Sequence, residues 1–191
     1  NRSSGKQGYA IAAEANARGA KVTLISTVEL VVPFGVTLIA VETAQQMQDA
    51  VNLSAQQADV VVMAAAVADA KPASVSSEKI KKASYQSIEL EANPDLIANI
   101  SKTRSDNQVL VAFAAETMPL NNETIEAAKA KMKRKGSDLI YLNNVSEGAI
   151  FGAEETAGIL IDSNGETLKC DNQSKDTLAD LLLDRALNKL R

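Results

Sequence analysis

Four stretches of the chain bring together residue types that can do chemistry. The first is Asn1-Arg2-Ser3-Ser4-Gly5-Lys6-Gln7-Gly8, which runs into an Ala-rich helical segment. Hydroxyls, glycines and backbone N–H groups at a helix N-terminus suit an anion such as a phosphate. The order is neither Gly-x4-Gly-Lys-Ser/Thr nor Gly-x-Gly-x-x-Gly, so a solvated loop with a Ser cap is the competing reading. The second is Ala64-Ala65-Ala66-Val67-Ala68-Asp69. Small residues at a strand end let a flat ligand reach the backbone, and Asp69 can hold a ribose hydroxyl or a phosphate-bound Mg²⁺. Close packing under a helix, with Asp69 in a turn, explains the same residues. The third is Glu78-Lys79-Ile80-Lys81-Lys82, a basic stretch in an irregular segment from Lys71 to Ser84. It reads either as a lid that closes over phosphates or as a solvated turn. The fourth is Lys129, Lys131, Lys133, Arg134 and Lys135 at the end of a helix. Lys131 and Lys135 share a face, where they can converge on a triphosphate or simply complement the helix dipole.

What is missing constrains the chemistry further. None of the 191 residues is His, so a Ser-His-Asp triad and His-ligated metals are excluded. A single Cys excludes an internal disulfide and a thiolate zinc cluster. Charge neutralisation must come from Lys and Arg, and any metal is expected to be a hard cation held by oxygens. The net charge of −4 and only six aromatic residues, three Tyr and three Phe, argue against nucleic acid. The longest apolar run, Val60 to Ala68, falls far short of the ~20 residues that span a bilayer. No signal-peptide pattern is visible, so the cytoplasm is the expected location.

These candidates need a scaffold. Short β-branched runs at Lys21–Ser26, Val36–Val41, Val60–Ala66, Val109–Ala114 and Asp138–Leu142 alternate with helical patterns. Helices are expected over Gly8–Arg18, Thr43–Gln57, Asn93 to about Lys102, Asn122–Lys135 and Ser174 to about Leu190. Asn93-Pro94-Asp95 reads as a cap followed by Pro at the first helical position. The last helix carries an apolar stripe of Ala179, Leu183, Ala186, Leu187 and Leu190. Gln86–Glu91 alternates like an exposed strand. Asn164-Gly165 predicts a type I′ hairpin between Gly158–Asp162 and Glu166–Cys170. Repeated βα units imply an α/β protein, with a mostly parallel sheet and helices on both faces. The C-terminal β-hairpin then makes a mixed sheet or a protruding arm. In such sheets ligands bind at the carboxyl ends of the strands.

Asn-Arg-Ser-Ser-Gly-Lys-x-Gly, Ala-Ala-Val-Ala-Asp (65–69), Glu-Lys-Ile-Lys-Lys (78–82), Asn-Pro-Asp (93–95) and Phe-Ala-Ala-Glu-Thr (113–117) occur in this order. Together they resemble phosphopantothenoylcysteine synthetases of the bacterial, CTP-using type, over nearly the whole chain. The resemblance implies one Rossmann-like domain over 1–191 that joins phosphopantothenate to cysteine through an acyl-cytidylate, with CTP and Mg²⁺. It also implies a homodimer, with the Gly158 to Cys170 hairpin as a candidate interface arm. An upstream flavin-dependent decarboxylase domain is implied too, consistent with a chain that opens inside a motif. By resemblance Lys79 serves cytidylate formation and Asn1 turnover of the intermediate. Ser3, Ser4, Gly5, Gly8, Met63, Ala64, Ala65, Ala66, Asp69, Asn93, Pro94, Asp95, Phe113, Lys131 and Lys135 then surround the nucleotide, with Asp69 at the metal. A nicotinamide-dependent reductase on a similar fold is the alternative, and the missing Gly-x-Gly-x-x-Gly counts against it.

Overall fold

The computed structural model describes residues 3–76, 78–79, 87–145 and 154–190. Its core is set by β-branched and aliphatic runs that cannot be left in water. Leu110, Val111, Ile140, Tyr141, Leu142 and Ile161 are completely buried. They lie on β6 (Val109–Glu116), β7 (Leu139–Asn144) and β8 (Glu155–Asp162), the centre of a five-stranded sheet. Its edges are β3 (Val60–Met63) and β9 (Thr167–Ser174), giving the order β3-β6-β7-β8-β9. β3, β6 and β7 run parallel, while β8 and β9 are antiparallel to their neighbours. β1 (Thr23–Ser26) and β2 (Thr37–Ala40) form a separate parallel pair. β4 (Ala70–Pro72) pairs antiparallel with β5 (Leu90–Ala92).

Alternate residues of each central strand face opposite layers. Val109, Val111, Leu139 and Tyr141 pack with Ile11 of α1 (Lys6–Ala17) and Leu178 and Leu182 of α5 (Lys175–Leu187). Ala112, Ala114, Ile140 and Leu142 pack with Ile97 of α3 (Leu96–Ser101) and Met132 of α4 (Asn122–Lys135). Leu110 joins α3 to Met47 and Val51 of α2 (Ala44–Ala55). The expected α/β architecture, with parallel strands at its centre, helices on both faces and a C-terminal hairpin, is what the chain adopts.

Several local expectations are corrected. The β8–β9 hairpin is not a protruding arm: β8 lies between β7 and β9 in the main sheet. Its turn is not type I′, which needs two positive φ angles. Only Gly165 has one, at 85°. The Asp162 carboxylate accepts the N–H groups of Asn164 and Glu166, each at 2.9 Å, and this holds Asn164 on the ordinary side. α3 is capped by Asp95 rather than Asn93, because Asp95 Oδ1 takes the Ala98 N–H at 3.2 Å. The buried stripe of α5 includes Leu178 and Leu182, and Leu187 is half exposed. Within the expected irregular segment, Ala70–Pro72 is a strand, and residues 77 and 80–86 lie outside the described residues.

Candidate active site

A cleft of about 900 Å³ opens along the carboxyl ends of β3, β6 and β7. A second hollow, of about 260 Å³ near Asp162 and Lys189, is much smaller and gathers none of the predicted site residues. The location of the larger cleft follows from topology: parallel neighbours end together, and the helices that follow diverge from them.

The cleft is built from segments far apart in sequence. Ser3, Ser4 and Gln7 reach it from the start of α1. Met63 to Ala66 and Asp69 come from the end of β3 and the loop beyond. Asn93, Pro94 and Asp95 precede α3, Phe113 lies on β6, and Lys131 and Lys135 on the last turns of α4. Gly5 and Gly8 are not among the lining residues. Gly5 is the left-handed N-cap of α1 (φ 73°), where its missing side chain lets Val28 approach. Lys79 is exposed and outside the cleft's lining, and Asn1 lies outside the described residues.

Hydrogen bonds fix one wall. Asn93 donates its backbone N–H to Asp69 O at 2.8 Å and its side-chain amide to Ala68 O at 2.9 Å. These two bonds tie the loop after β3 to the approach of α3. Among the described residues, neither the buried Asn93 Oδ1 nor the buried Ser137 hydroxyl, also in the cleft's lining, has a hydrogen-bond partner. Buried polar atoms are normally paired, so both groups have hydrogen-bonding capacity to offer within the cleft.

Charge is distributed along the cleft rather than concentrated. Lys135 Nζ lies 3.0 Å from Asp95 Oδ2. Burial pushes the Asp95 carboxyl up, but the hydrogen bonds from Lys135 and the Ala98 N–H, with the charges of Lys135 and Arg134, hold it below the usual range. Lys175, at the start of α5, has its ammonium pushed down by burial; Glu154 opposes this and Lys6 reinforces it. Among the described residues, no three acidic, Cys or His side chains cluster as a metal cage. The exposed Asp69 is one of three carboxylates in the lining, with Asp95 and Glu155, and a single carboxylate is the kind of ligand Mg²⁺ uses when phosphates supply the rest.

Sequence reasoning missed several lining residues. Asn143 and Asn144 end β7, and the carboxyl-end rule alone could have found them. Glu155, Thr156, Asn172 and Lys175 reach the cleft only because β8 and β9 return antiparallel, and no local signal marks them.

Comparison with known proteins agrees with this architecture. The model of the DNA/pantothenate metabolism flavoprotein C-terminal domain matches residues 1–190. The coenzyme A biosynthesis bifunctional protein CoaBC of Mycobacterium tuberculosis is 45% identical over 193 residues, covering 96% of this chain and 46% of its own length. That of Escherichia coli K12 is 40% identical over 195 residues, covering 99% and 47%. The chain thus spans about half the length of the curated relatives it matches. A crystal structure of the C-terminal domain of CoaBC superposes with a TM-score of 0.78 at 34% identity, covering 97% of this chain and 82% of that one. A mutant of Cab2 in complex with phosphopantothenate-cysteine shares the fold, with a TM-score of 0.76 at 14% identity over 99% of this chain and 80% of that one. With the match extending over residues 1–190, the chain belongs to the DNA/pantothenate metabolism flavoprotein C-terminal domain family.

Proposed function

We propose that this domain is a CTP-dependent phosphopantothenate–cysteine ligase. The observation that carries the reading is convergence. Met63–Ala66, Asp69, Asn93–Asp95, Phe113, Lys131 and Lys135, widely separated in sequence, line one cleft. The two halves of the reaction ask for what this cleft has. In the first, the substrate carboxylate oxygen attacks the α-phosphorus of CTP and the bond to the β-phosphate oxygen breaks, releasing pyrophosphate. In the second, the cysteine amine attacks the acyl carbon, CMP leaves, and the amine proton passes to solvent. Neither step requires His; the first needs positive charge and alignment, the second an oxyanion donor. Lys131 and Lys135 supply cations to the nucleotide, and the small Ala64–Ala66 backbone allows close approach. Lys79 is assigned to cytidylate formation and Asn1 to turnover of the acyl-cytidylate. Asp69 would hold Mg²⁺, which neutralises phosphate charge when bound. A homodimer, a cytoplasmic location and a flavin-dependent decarboxylase domain upstream belong to the same reading; the CoaBC relatives are described as bifunctional.

The test is pyrophosphate release across the four nucleotides, with phosphopantothenate and with or without cysteine. CTP should be preferred. Lys79→Gln should slow cytidylate formation by roughly a hundredfold to a thousandfold. Asn1→Asp should accumulate acyl-cytidylate, visible by mass spectrometry with labelled CTP. Normal pyrophosphate release by Lys79→Gln without cysteine would refute the role given to Lys79.

A further inference from the structure

Tyr141, Thr156 and Asn143 form a hydrogen-bonded series that ends in the cleft. The Tyr141 hydroxyl lies 3.2 Å from Thr156 Oγ1, and Thr156 Oγ1 lies 3.0 Å from Asn143 Oδ1. Tyr141 is completely buried and Thr156 nearly so, at 9% exposure. Burial pushes the Tyr141 phenol up to about 12, the Thr156 hydrogen bond pulling weakly the other way, so the phenol keeps its proton at any ordinary pH. Asn143 is the penultimate residue of β7, in register with Ala115 of β6, and lines the cleft.

Counting protons gives the series a direction. Tyr141 has one proton, and Thr156 Oγ1 is its acceptor among the described residues. Were Thr156 to donate to Tyr141 instead, the phenol proton would be buried without an acceptor, which is unfavourable. Tyr141 therefore donates to Thr156. The Thr156 proton is then free for Asn143, and the atom that receives it must be the carbonyl oxygen. The amide is held one way round, and its two N–H groups, with no hydrogen bond among the described residues, are left for the cleft.

We propose that Tyr141 and Thr156 are positioning residues that lock the Asn143 side chain with its N–H groups toward the bound substrate, where they donate to a phosphoryl or acyl oxygen. The inference rests on the ligase reading of this cleft and adds a residue set that reading does not contain. A donor fixed before the substrate arrives stabilises charge as it develops without reorganising. Gly158 belongs to the same device. A Cβ there would sit 2.7 Å from Tyr141 Cζ and 2.3 Å from Leu142 O, so only Gly lets the ring lie where it does.

The experiment compares Thr156→Val, Thr156→Ser, Asn143→Asp and the Thr156→Val/Asn143→Asp double variant in the full-length protein. Pyrophosphate release without cysteine, cysteine-dependent turnover and thermal midpoint are all measured. Val matches the shape of Thr but has no proton to give. It should slow one of the two steps by roughly two- to tenfold, the worth of one hydrogen bond. Thr156→Ser should stay within about twofold of wild type. Asn143→Asp, which replaces the donor by a carboxylate, should slow the same step by about a hundredfold. The double variant should be no slower than Asn143→Asp alone. A defect in pyrophosphate release identifies a phosphoryl oxygen, and a defect confined to cysteine-dependent turnover an acyl oxygen. Thr156→Val with a lower midpoint but unchanged rates, Thr156→Ser as slow as Thr156→Val, or additive losses in the double variant would overturn the proposal. Wild-type protein that releases no pyrophosphate from any nucleotide would instead overturn the ligase reading beneath it.

Discussion

Asp95 carries two roles on one carboxylate, and substitution can separate them. Its Oδ1 caps α3 by accepting the Ala98 N–H at 3.2 Å, and its Oδ2 meets Lys135 Nζ at 3.0 Å. The pair is partly solvated, with side-chain exposures of 43% for Asp95 and 25% for Lys135. A pair of this kind contributes about 0.2–1 kcal/mol. Asn caps a helix as well as Asp does, so Asp95→Asn should remove the pair alone and cost about 0.5 kcal/mol. Asp95→Ala loses the cap as well, worth about 1 kcal/mol, for a total near ~1.5 kcal/mol. Urea unfolding of wild type and both variants at neutral pH measures the difference. The pH dependence has a definite sign. The folded carboxyl is held below its ordinary value of 3.8, against the upward push of burial, chiefly by the Lys135 hydrogen bond. Its contribution is therefore present above that value and is lost as pH falls through the lower, folded one. The gap between wild type and Asp95→Asn should be full at pH 7 and close as acid is added below 3.8. Equal costs for Asn and Ala at neutral pH would refute the assignment of the larger share to the cap. A gap that persists unchanged in strong acid would refute the ion pair as the cause of the smaller one.

Two further substitutions probe what holds the cleft in place. Leu178→Ala removes a completely buried side chain between α5 and the sheet, and should cost about 3–5 kcal/mol by denaturant unfolding. Gly158→Ala places a methyl group against the Leu142 carbonyl and the Tyr141 ring. The backbone contact cannot retreat like a flexible side chain, so a loss of about 3 kcal/mol or more is expected, with the Phe113–Tyr141 edge-to-face contact disturbed in near-ultraviolet circular dichroism.

Local chemistry decided much of this protein without help. Asn121 and Thr124 form a reciprocal cap and Gly136 (φ 67°) the left-handed stop, so α4 has the bounds its sequence predicts. Thr43 and Gln46 do the same for the start of α2. The apolar run beginning at Val109 has nowhere to go but the centre of a sheet, and the βα alternation then dictates at which end of the strands a ligand can sit. The motifs at 63–66, 69, 93–95, 113, 131 and 135 were legible for the same reason: each lies just beyond or beside an element with strong local signals.

Tertiary structure decided the rest, because it depends on which groups meet across the fold. The face α5 buries is one case. Ala179, Leu183 and Ala186 of the predicted stripe do enter the core, but only docking on α1 and the sheet adds Leu178 and Leu182 to it and leaves Leu187 half exposed. Asn164 stays out of the left-handed region because the Asp162 carboxylate offers its N–H a better partner. Lys79 carries a clear motif, yet its own sequence does not bring it to the cleft lining. Thr156, Asn172 and Lys175 have no motif and reach that lining because two antiparallel strands fold back beside β7. Cap and turn preferences act over three or four residues and can be read along the chain. The direction of the Tyr141–Thr156–Asn143 hydrogen bonds exists only once β7 and β8 have paired, since neither strand contains both a donor and its acceptor in reach.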